Sequence, residues 1–228
     1  MKYLRKFATQ SDYDAYVESG EMETPNVSLV AESYTTFFTK KEIEIPLGVF
    51  IQHINGKLYT ADEWTAKGFA NSEANGVAVS VEECAFVIAK ENLGNNNTQW
   101  SSDAINAVKG LDNISDRNVA KKDYNGKANT QLMLATDTSG AGYSCANYIF
   151  PNGQNGYLPS LGELNVAFNN KAVIDEAMSV LDSSPFYSHA WSSTPYADYL
   201  AWYLDWSDGI TNYHNKASSN TVVPFTTL

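Results

Sequence analysis

Charge is scarce in this 228-residue chain: Asp, Glu, Lys and Arg together make up 18% of it. What charge there is runs acidic, with 26 Asp and Glu against 15 Lys and Arg, a formal net charge of −11. That balance lacks the basic footprint a nucleic-acid site needs, so no nucleic acid is expected as a partner, and an anionic membrane surface is disfavoured for the same reason. It favours solubility instead. Long apolar runs are missing as well. With no span of about 20 apolar residues, no membrane insertion is expected. The N-terminal Met1-Lys-Tyr-Leu-Arg-Lys-Phe has positive charge but no apolar segment behind it, and so does not read as a signal peptide.

Cysteine is nearly absent. Cys84 and Cys145 stand in unrelated contexts, neither forms a C-x-x-C, and no set of His and Cys has zinc-ligand spacing. They read as two small buried hydrophobes; a disulfide between them is left open. The motifs of common enzymes are missing too: no G-x-G-x-x-G, P-loop, G-x-S-x-G or H-E-x-x-H occurs. Ser144 or Cys145 would need a His base within hydrogen-bond reach to act as a nucleophile, and sequence alone does not supply one. The expectation is a non-enzyme, with no catalytic residue and no cofactor.

What the chain does have is concentrated in its last quarter. Residues 187–215 hold three of the five Trp and two of the three His, with no Lys, Arg or Glu. Tyr, Trp, Asn, Ser, Asp and His dominate there. That is the composition of a contact surface, in which rigid aromatics supply area and small polar groups supply adaptable hydrogen bonds. Between apparent anchors at Trp191-Ser-Ser-Thr194, Trp202 and Gly209, the runs Pro195–Leu200 and Tyr203–Asp208 read as surface positions, filled without regard to strand alternation. His189 and His214 with Asp205 or Asp208 would suit a transition metal, and Asp205 with Asp208 would suit a glycosidase pair only if held at a set separation. Both readings are weaker than exposed contact residues, and no metal is assigned.

Along the rest of the chain, Ser11-Asp-Tyr-Asp14 opens a short helix that Gly20 closes, and Val27–Ala31 with Tyr34–Phe38 reads as a hairpin. Residues 1–46 form a small N-terminal β-rich module for attachment or oligomerisation. The main domain, 47–228, begins with a strand over Gly48–Ile54, an Asn55-Gly56 turn and a return strand over Lys57–Tyr59. Thr60-Ala-Asp-Glu63 and Ser160-Leu-Gly-Glu163 are capping boxes. Val77–Val81 and Ala85–Ala89 are buried strands, Asn92–Thr98 a polar loop, Ser102–Val108 a helix, and Ala172–Leu181 a helix with an apolar face. Strands at each end with helices between them predict an α+β domain.

The order Leu158-Pro-Ser-Leu-Gly-Glu-Leu164, Trp191-Ser-Ser-Thr194, Ala201-Trp202, Gly209, Lys216 and Val223-Pro-Phe225 resembles the C-type-lectin-like domains of the formylglycine-generating-enzyme type. Within these it is most similar to the variable proteins of diversity-generating retroelements from gut Bacteroides-like bacteria and their phages. The resemblance covers 47–228 loosely and 157–226 more tightly. It implies a C-type-lectin-like fold with two packed helices and a small twisted antiparallel sheet. It also implies a variable-type tail over 186–226.

By the same resemblance the ligand-binding, variable positions are Tyr187, His189, Tyr196, Asp198, Tyr199, Tyr203, Asp205, Trp206, Asp208, Asn212, Tyr213, His214 and Asn215. Trp191, Ser192, Ser193, Thr194, Trp202 and Gly209 are the scaffold that displays them. Two family features have no counterpart: Val222-Val-Pro-Phe225 stands where many relatives carry Val-Arg-Pro, and the catalytic cysteine pair of the formylglycine-generating enzymes has no match. The sugar-binding triplets Glu-Pro-Asn and Gln-Pro-Asp do not occur either. The expected function is recognition of a protein or glycan on a target cell surface, from a phage particle (tail), the cytoplasm before assembly, or an extracellular display, with a homo-oligomer left open. A carbohydrate-binding module and a structural particle protein with an aromatic intersubunit contact are the alternatives.

Overall fold

A computed structural model describes residues 45–101, 107–186 and 188–228, with backbone only at 94–96. The expected N-terminal helix and hairpin lie outside the described residues, as does most of the helix expected over 102–108. Pro46–Leu228 forms one unit, and it is α+β. The elements are β1 (Gly48–His53), β2 (Leu58–Tyr59), α1 (Ala61–Lys67), β3 (Ala74–Ser80), β4 (Ala85–Ile88) and β5 (Leu93–Gln99). There follow α2 (Arg117–Ala120), α3 (Gly126–Leu134), α4 (Ala141–Ala146), α5 (Leu161–Asn169) and α6 (Lys171–Val180). The chain finishes with β6 (His189–Ala197), β7 (Leu200–Asp205), β8 (Thr211–Asn215), β9 (Ser219–Val222) and β10 (Phe225–Thr227).

Local chemistry sets the early elements. Gly56 takes φ +86° in the β1–β2 turn, the left-handed region that favours glycine. Thr60 and Glu63 close a reciprocal capping box on α1, and Gly68 ends that helix at φ +65°. Every residue of β3 is buried, as befits a strand covered on both faces.

The strands form two five-stranded sheets, in the orders β10-β4-β3-β1-β2 and β5-β9-β6-β7-β8. This departs from the small antiparallel sheet expected: there are two sheets, and β6 runs parallel to β9 through Ala190 and Thr221. The polar loop expected over 92–98 is instead strand β5, paired antiparallel to β9 through Leu93–Val222 and Thr98–Asn220. Backbone pairing to a distant segment holds it, so its side chains need no apolar pattern. The sheets share a covalent joint where β9 passes through Val223-Pro224 into β10. Tyr157 and Phe225 exchange backbone hydrogen bonds there at 2.7 and 2.9 Å. One core gathers Trp64, Phe86, Leu164, Ile174, Trp202 and Phe225, and a second gathers Trp100, Met133, Cys145, Leu158 and Trp191. Both cysteines are free.

The Trp191-Ser-Ser-Thr194 segment departs from simple pairing. β6 pairs with β7 at His189–Asp205, Ala190–Leu204 and Trp191–Tyr203, loses register, and resumes at Pro195–Ala201. In the gap its polar groups bond across the core. Ser193 N donates to Pro159 O at 2.7 Å. The Thr194 hydroxyl donates to Asp123 Oδ2 at 2.7 Å and accepts from Leu161 N at 2.9 Å. Asn129 Nδ2 reaches the same carboxylate oxygen at 2.9 Å, and Ser192 Oγ donates to Trp202 O at 2.8 Å.

Beside this network Glu163 is 5% exposed. Its Oε2 accepts from Ser160 N at 2.7 Å, and its Oε1 accepts from Tyr157 OH at 2.9 Å. Burial lifts the carboxyl to about 7; the Ser160 and Tyr157 hydrogen bonds oppose the lift, and nearby Asp123 adds to it. An acid whose folded pKa lies above its ordinary value contributes its full stability below that ordinary value and loses it as pH rises through the folded one. Glu163→Gln keeps the size and removes the titration. The native chain should therefore lose stability relative to Glu163→Gln between about pH 4.5 and 7.5, on the order of 3 kcal/mol, in urea unfolding at stepped pH. Parallel curves for the two proteins would contradict this.

Candidate recognition surface

Strand pairing sorts the tail residues by side. β7 and β8 pair Ala201–His214, Trp202–Tyr213, Tyr203–Asn212 and Leu204–Thr211. Directly opposed residues share a face and successive ones alternate. One face therefore carries His189, Trp191, Tyr203, Asp205, Asn212 and His214, and the other carries Trp202 and Tyr213.

On the first face both imidazoles flank Tyr203, each with its ring centre 4.4 Å from the phenol ring, and they lie 5.3 Å from one another. His189 Nε2 is 3.2 Å from Asp205 Oδ2. His214 Nδ1 is 3.3 Å from Asn220 Oδ1, and Asn220 Nδ2 is buried with no hydrogen-bond partner among the described residues. Partial burial acts to raise the Asp205 carboxyl, but the Ser207 N–H and hydroxyl, together with His189, outweigh it and hold the acid below its ordinary value.

On the second face Tyr196 and Tyr213 stack at 3.9 Å and 18° between planes, and Trp202 meets both edge-on. The Trp202 indole N–H donates to Ile114 O at 2.7 Å, which anchors it inward. The β6–β7 turn presents Asp198 and the half-open Tyr199. Asn113 Nδ2 donates to Asp198 Oδ1 at 2.7 Å, and Lys216 Nζ donates to Asp198 O at 2.8 Å. Lys216 is fully buried with its ammonium 4.4 Å from the Trp100 ring centre. Burial brings its pKa down to about 8, with Asp198 opposing.

The other expected positions divide. Asp208, Asn212 and Asn215 are exposed, and Tyr187 lies outside the described residues. Two positions expected on the surface are not there: Tyr203 is 7% exposed and Trp206 is 4% exposed. Tyr203 is covered by the flanking imidazoles and by Trp191. Trp206 leaves β7 at its end and turns back over α5, stacking on Phe186 at 3.8 Å and meeting Phe168 edge-on at 5.6 Å. Gly209 makes that return tight: at φ +76°, a Cβ there would fall 2.2 Å from Phe168 Cε1. Pro195 and Leu204, in the runs read as surface, are buried as well. The scaffold positions Trp191, Ser192, Ser193 and Thr194 are fully buried and Trp202 is 2% exposed. Sequence reading missed Asn113, Asn220, Phe168 and Phe186, which contact Asp198, His214 and Trp206 and carry no local signal.

The chemistry of other sites is sparse. Cys145 is fully buried, and burial pushes its thiol well above the ordinary range, which keeps it protonated and unreactive. The Ser144 hydroxyl is bonded to Gly140 O at 3.2 Å. Asp205 and Asp208 each accept from backbone N–H groups of their own turn, at 2.9 Å from Ser207 and 2.9 Å from Ile210. Among the described residues no group of three or more His, Cys, Asp or Glu is placed to hold a metal, and no helix is long and apolar enough to cross a membrane.

No protein-family model matches the sequence, and no curated protein matches it. Among solved structures the chain is similar to a fimbrial protein from Bacteroides ovatus, with a TM-score of 0.52 at 13% identity, covering 81% of this chain and 49% of the fimbrial chain. The chain thus spans about half the length of that protein, and the likeness is one of fold.

Scaffold and displayed positions should separate on substitution. In denaturant unfolding, Tyr199→Ser and Asn212→Ser should each change stability by less than about 0.5 kcal/mol, whereas Trp191→Ala should cost about 3–5 kcal/mol. Comparable losses at all three positions would erase the distinction.

Proposed function

We propose that this protein is a non-enzymatic recognition module of C-type-lectin-like type, which binds a protein or glycan on a target surface through the β6–β8 face. One observation carries the reading. Asp198, Tyr199, Asp208, Tyr213 and Asn215 stand exposed along one short stretch, over strands whose inward residues are almost wholly buried. Large aromatics left at a surface without Lys, Arg or Glu to solubilise them are characteristic of contact sites. Tyrosines give area at low entropy cost, and Asn and Asp supply hydrogen bonds around them. On the other side of the same strands, exposed Asn212 stands with half-buried His189 and His214 above buried Asn220.

The fimbrial likeness favours a second reading, in which the module belongs to a surface appendage and the same aromatics make an intersubunit contact. The two separate cleanly. Deep sequencing of the 3′ end of the gene across a natural population should show substitutions confined to the exposed tail positions, with Trp191, Trp202 and Gly209 fixed. An invariant tail would sink diversified recognition. If Tyr199→Ala and Tyr213→Ala alter the oligomeric state in light scattering and leave target capture unchanged, the contact is structural.

A further inference from the structure

The second sheet, in the order β5-β9-β6-β7-β8, ends on β8. An edge strand offers a row of backbone donors and acceptors to any extended chain, and proteins blunt such edges with bulges, proline, charge, shortness or a covering segment. The other three edges are blunted in these ways. β2 is two residues long. β10 is three residues long, and Tyr157 takes the backbone groups of Phe225. β5 loses register between Leu93 and Thr98. β8 differs from all three: Thr211–Asn215 keeps unbroken register with β7 and contains no Lys, Arg, Asp, Glu or Pro.

The ladder sets which backbone groups face out. Asp205 N donates to Ile210 O at 2.8 Å, and Lys216 N donates to Tyr199 O at 3.0 Å. Bonded and non-bonded pairs alternate in an antiparallel ladder, so Asn212 and His214 bond to β7, while Thr211, Tyr213 and Asn215 turn their N–H groups outward. The Tyr213 N–H is held by the side chain of its own neighbour, Asn212 Oδ1, at 2.9 Å, a cap that an incoming carbonyl can displace. Tyr213 on one face and Asn212 on the other, both exposed, would be cross-strand neighbours of a strand added here.

Charge selects the occupant. Asp208 stands exposed in the turn before β8, and Asp198 stands exposed in the turn beside its end. Residues 187–215 hold no Lys or Arg to neutralise them. A second copy pairing antiparallel on β8 would bring Asp208 and Asp198 together at both ends, like charge on like. A foreign strand with basic side chains meets the opposite situation. Arg117 lies 6.0 Å from the Trp202 ring, beside the middle of β8, so those basic side chains fit the ends of the strand. We propose that β8 is a strand-addition site for an extended segment of a protein partner that carries Lys or Arg toward its ends. This rests on the recognition reading and makes its partner a polypeptide rather than a glycan.

The probe is a library of random dodecapeptides selected on the full chain, with the affinities of selected peptides read by fluorescence anisotropy. These peptides should carry Lys or Arg flanking a run of β-branched or aromatic residues. N-methylation of alternate peptide amides should weaken binding at least tenfold in one alternation and leave it unchanged in the other, because only every second amide of an added strand meets β8. Tyr213→Pro removes an outward N–H and spares the β7 ladder; it should bind at least tenfold more weakly than Tyr213→Ser, which keeps that N–H. If Tyr213→Pro fails to fold, the alternation in the peptide decides. Asp198→Asn combined with Asp208→Asn should weaken binding and flatten its salt dependence. The proposal is overturned if no peptide is selected or if N-methylation shows no alternation. It is also overturned if light scattering finds a native dimer that Tyr213→Pro makes monomeric, which gives the edge to a second copy. Equal losses in Tyr213→Ser and Tyr213→Pro would overturn it too, moving the contact to the tyrosine side chain and leaving the recognition reading in place; that reading falls separately, with an invariant tail.

Discussion

The carboxylate of Asp123 is the point on which the main domain turns. It lies 8% exposed between the helical layer and β6, and it accepts from Thr194, Asn129 and Asn125. Thr194 in turn accepts from Leu161 N, the first residue of α5. One buried charge thus fixes the irregular middle of β6, the start of α5 and the side of α3 together. Burying a carboxylate is tolerable only with its acceptors filled, and here every donor comes from a different part of the chain or from the turn that carries the acid. The network rigidifies because removing any donor leaves a costly unsatisfied group.

That constraint explains why β6 breaks register with β7. A regular strand would point Ser192 and Thr194 to one face and Ser193 to the other. The irregularity lets all three make buried bonds, to Trp202 O, to Pro159 O and to Asp123. Trp191 and Trp202 then lie in different cores, one on each side of the sheet. The sheet is clamped from both faces by these buried groups. Lys216 performs a similar task at the far end of β8, tying the β6–β7 turn to Trp100.

What could be read in the sequence was what local chemistry decides. The Asn55-Gly56 turn, the two capping boxes and the helix over 171–180 need only neighbours within a few residues. The segment 117–146 was opaque for a physical reason. α3 buries Gly126, Asn129, Thr130 and Met133, a true helical spacing occupied by small and polar groups, so no hydrophobic period announces it. Gly126 is small because a Cβ there would meet Glu163 Oε2 at 2.2 Å, a contact between segments far apart in sequence. β5 was hidden likewise, since its partner β9 lies more than a hundred residues on. In the tail, composition marked the surface correctly at Tyr199, Asn212 and Tyr213, which are exposed. It misplaced Trp206, because a Trp after a strand end looks the same whether the turn leads outward or folds back onto Phe186.

The scarcity of Lys, Arg and Glu in the tail follows from this division of labour. Long charged side chains lose about 1.5–2 kcal/mol of rotamer freedom when ordered at an interface, whereas Tyr and Asn bring few rotatable bonds. On the proposed reading, a face built from Tyr, Asn, Asp and His would meet a partner at low entropic cost, with small hydroxyl and amide groups adjusting to its polar atoms. Such a face can accept substitution at its exposed positions only if the strands beneath owe nothing to those side chains. The buried bonds of Ser192, Ser193 and Thr194, the inward indoles of Trp191 and Trp202, and the tight return at Gly209 meet that condition. The physical separation is therefore between residues that hold the sheet through buried hydrogen bonds and rings, and residues whose side chains lie largely in solvent.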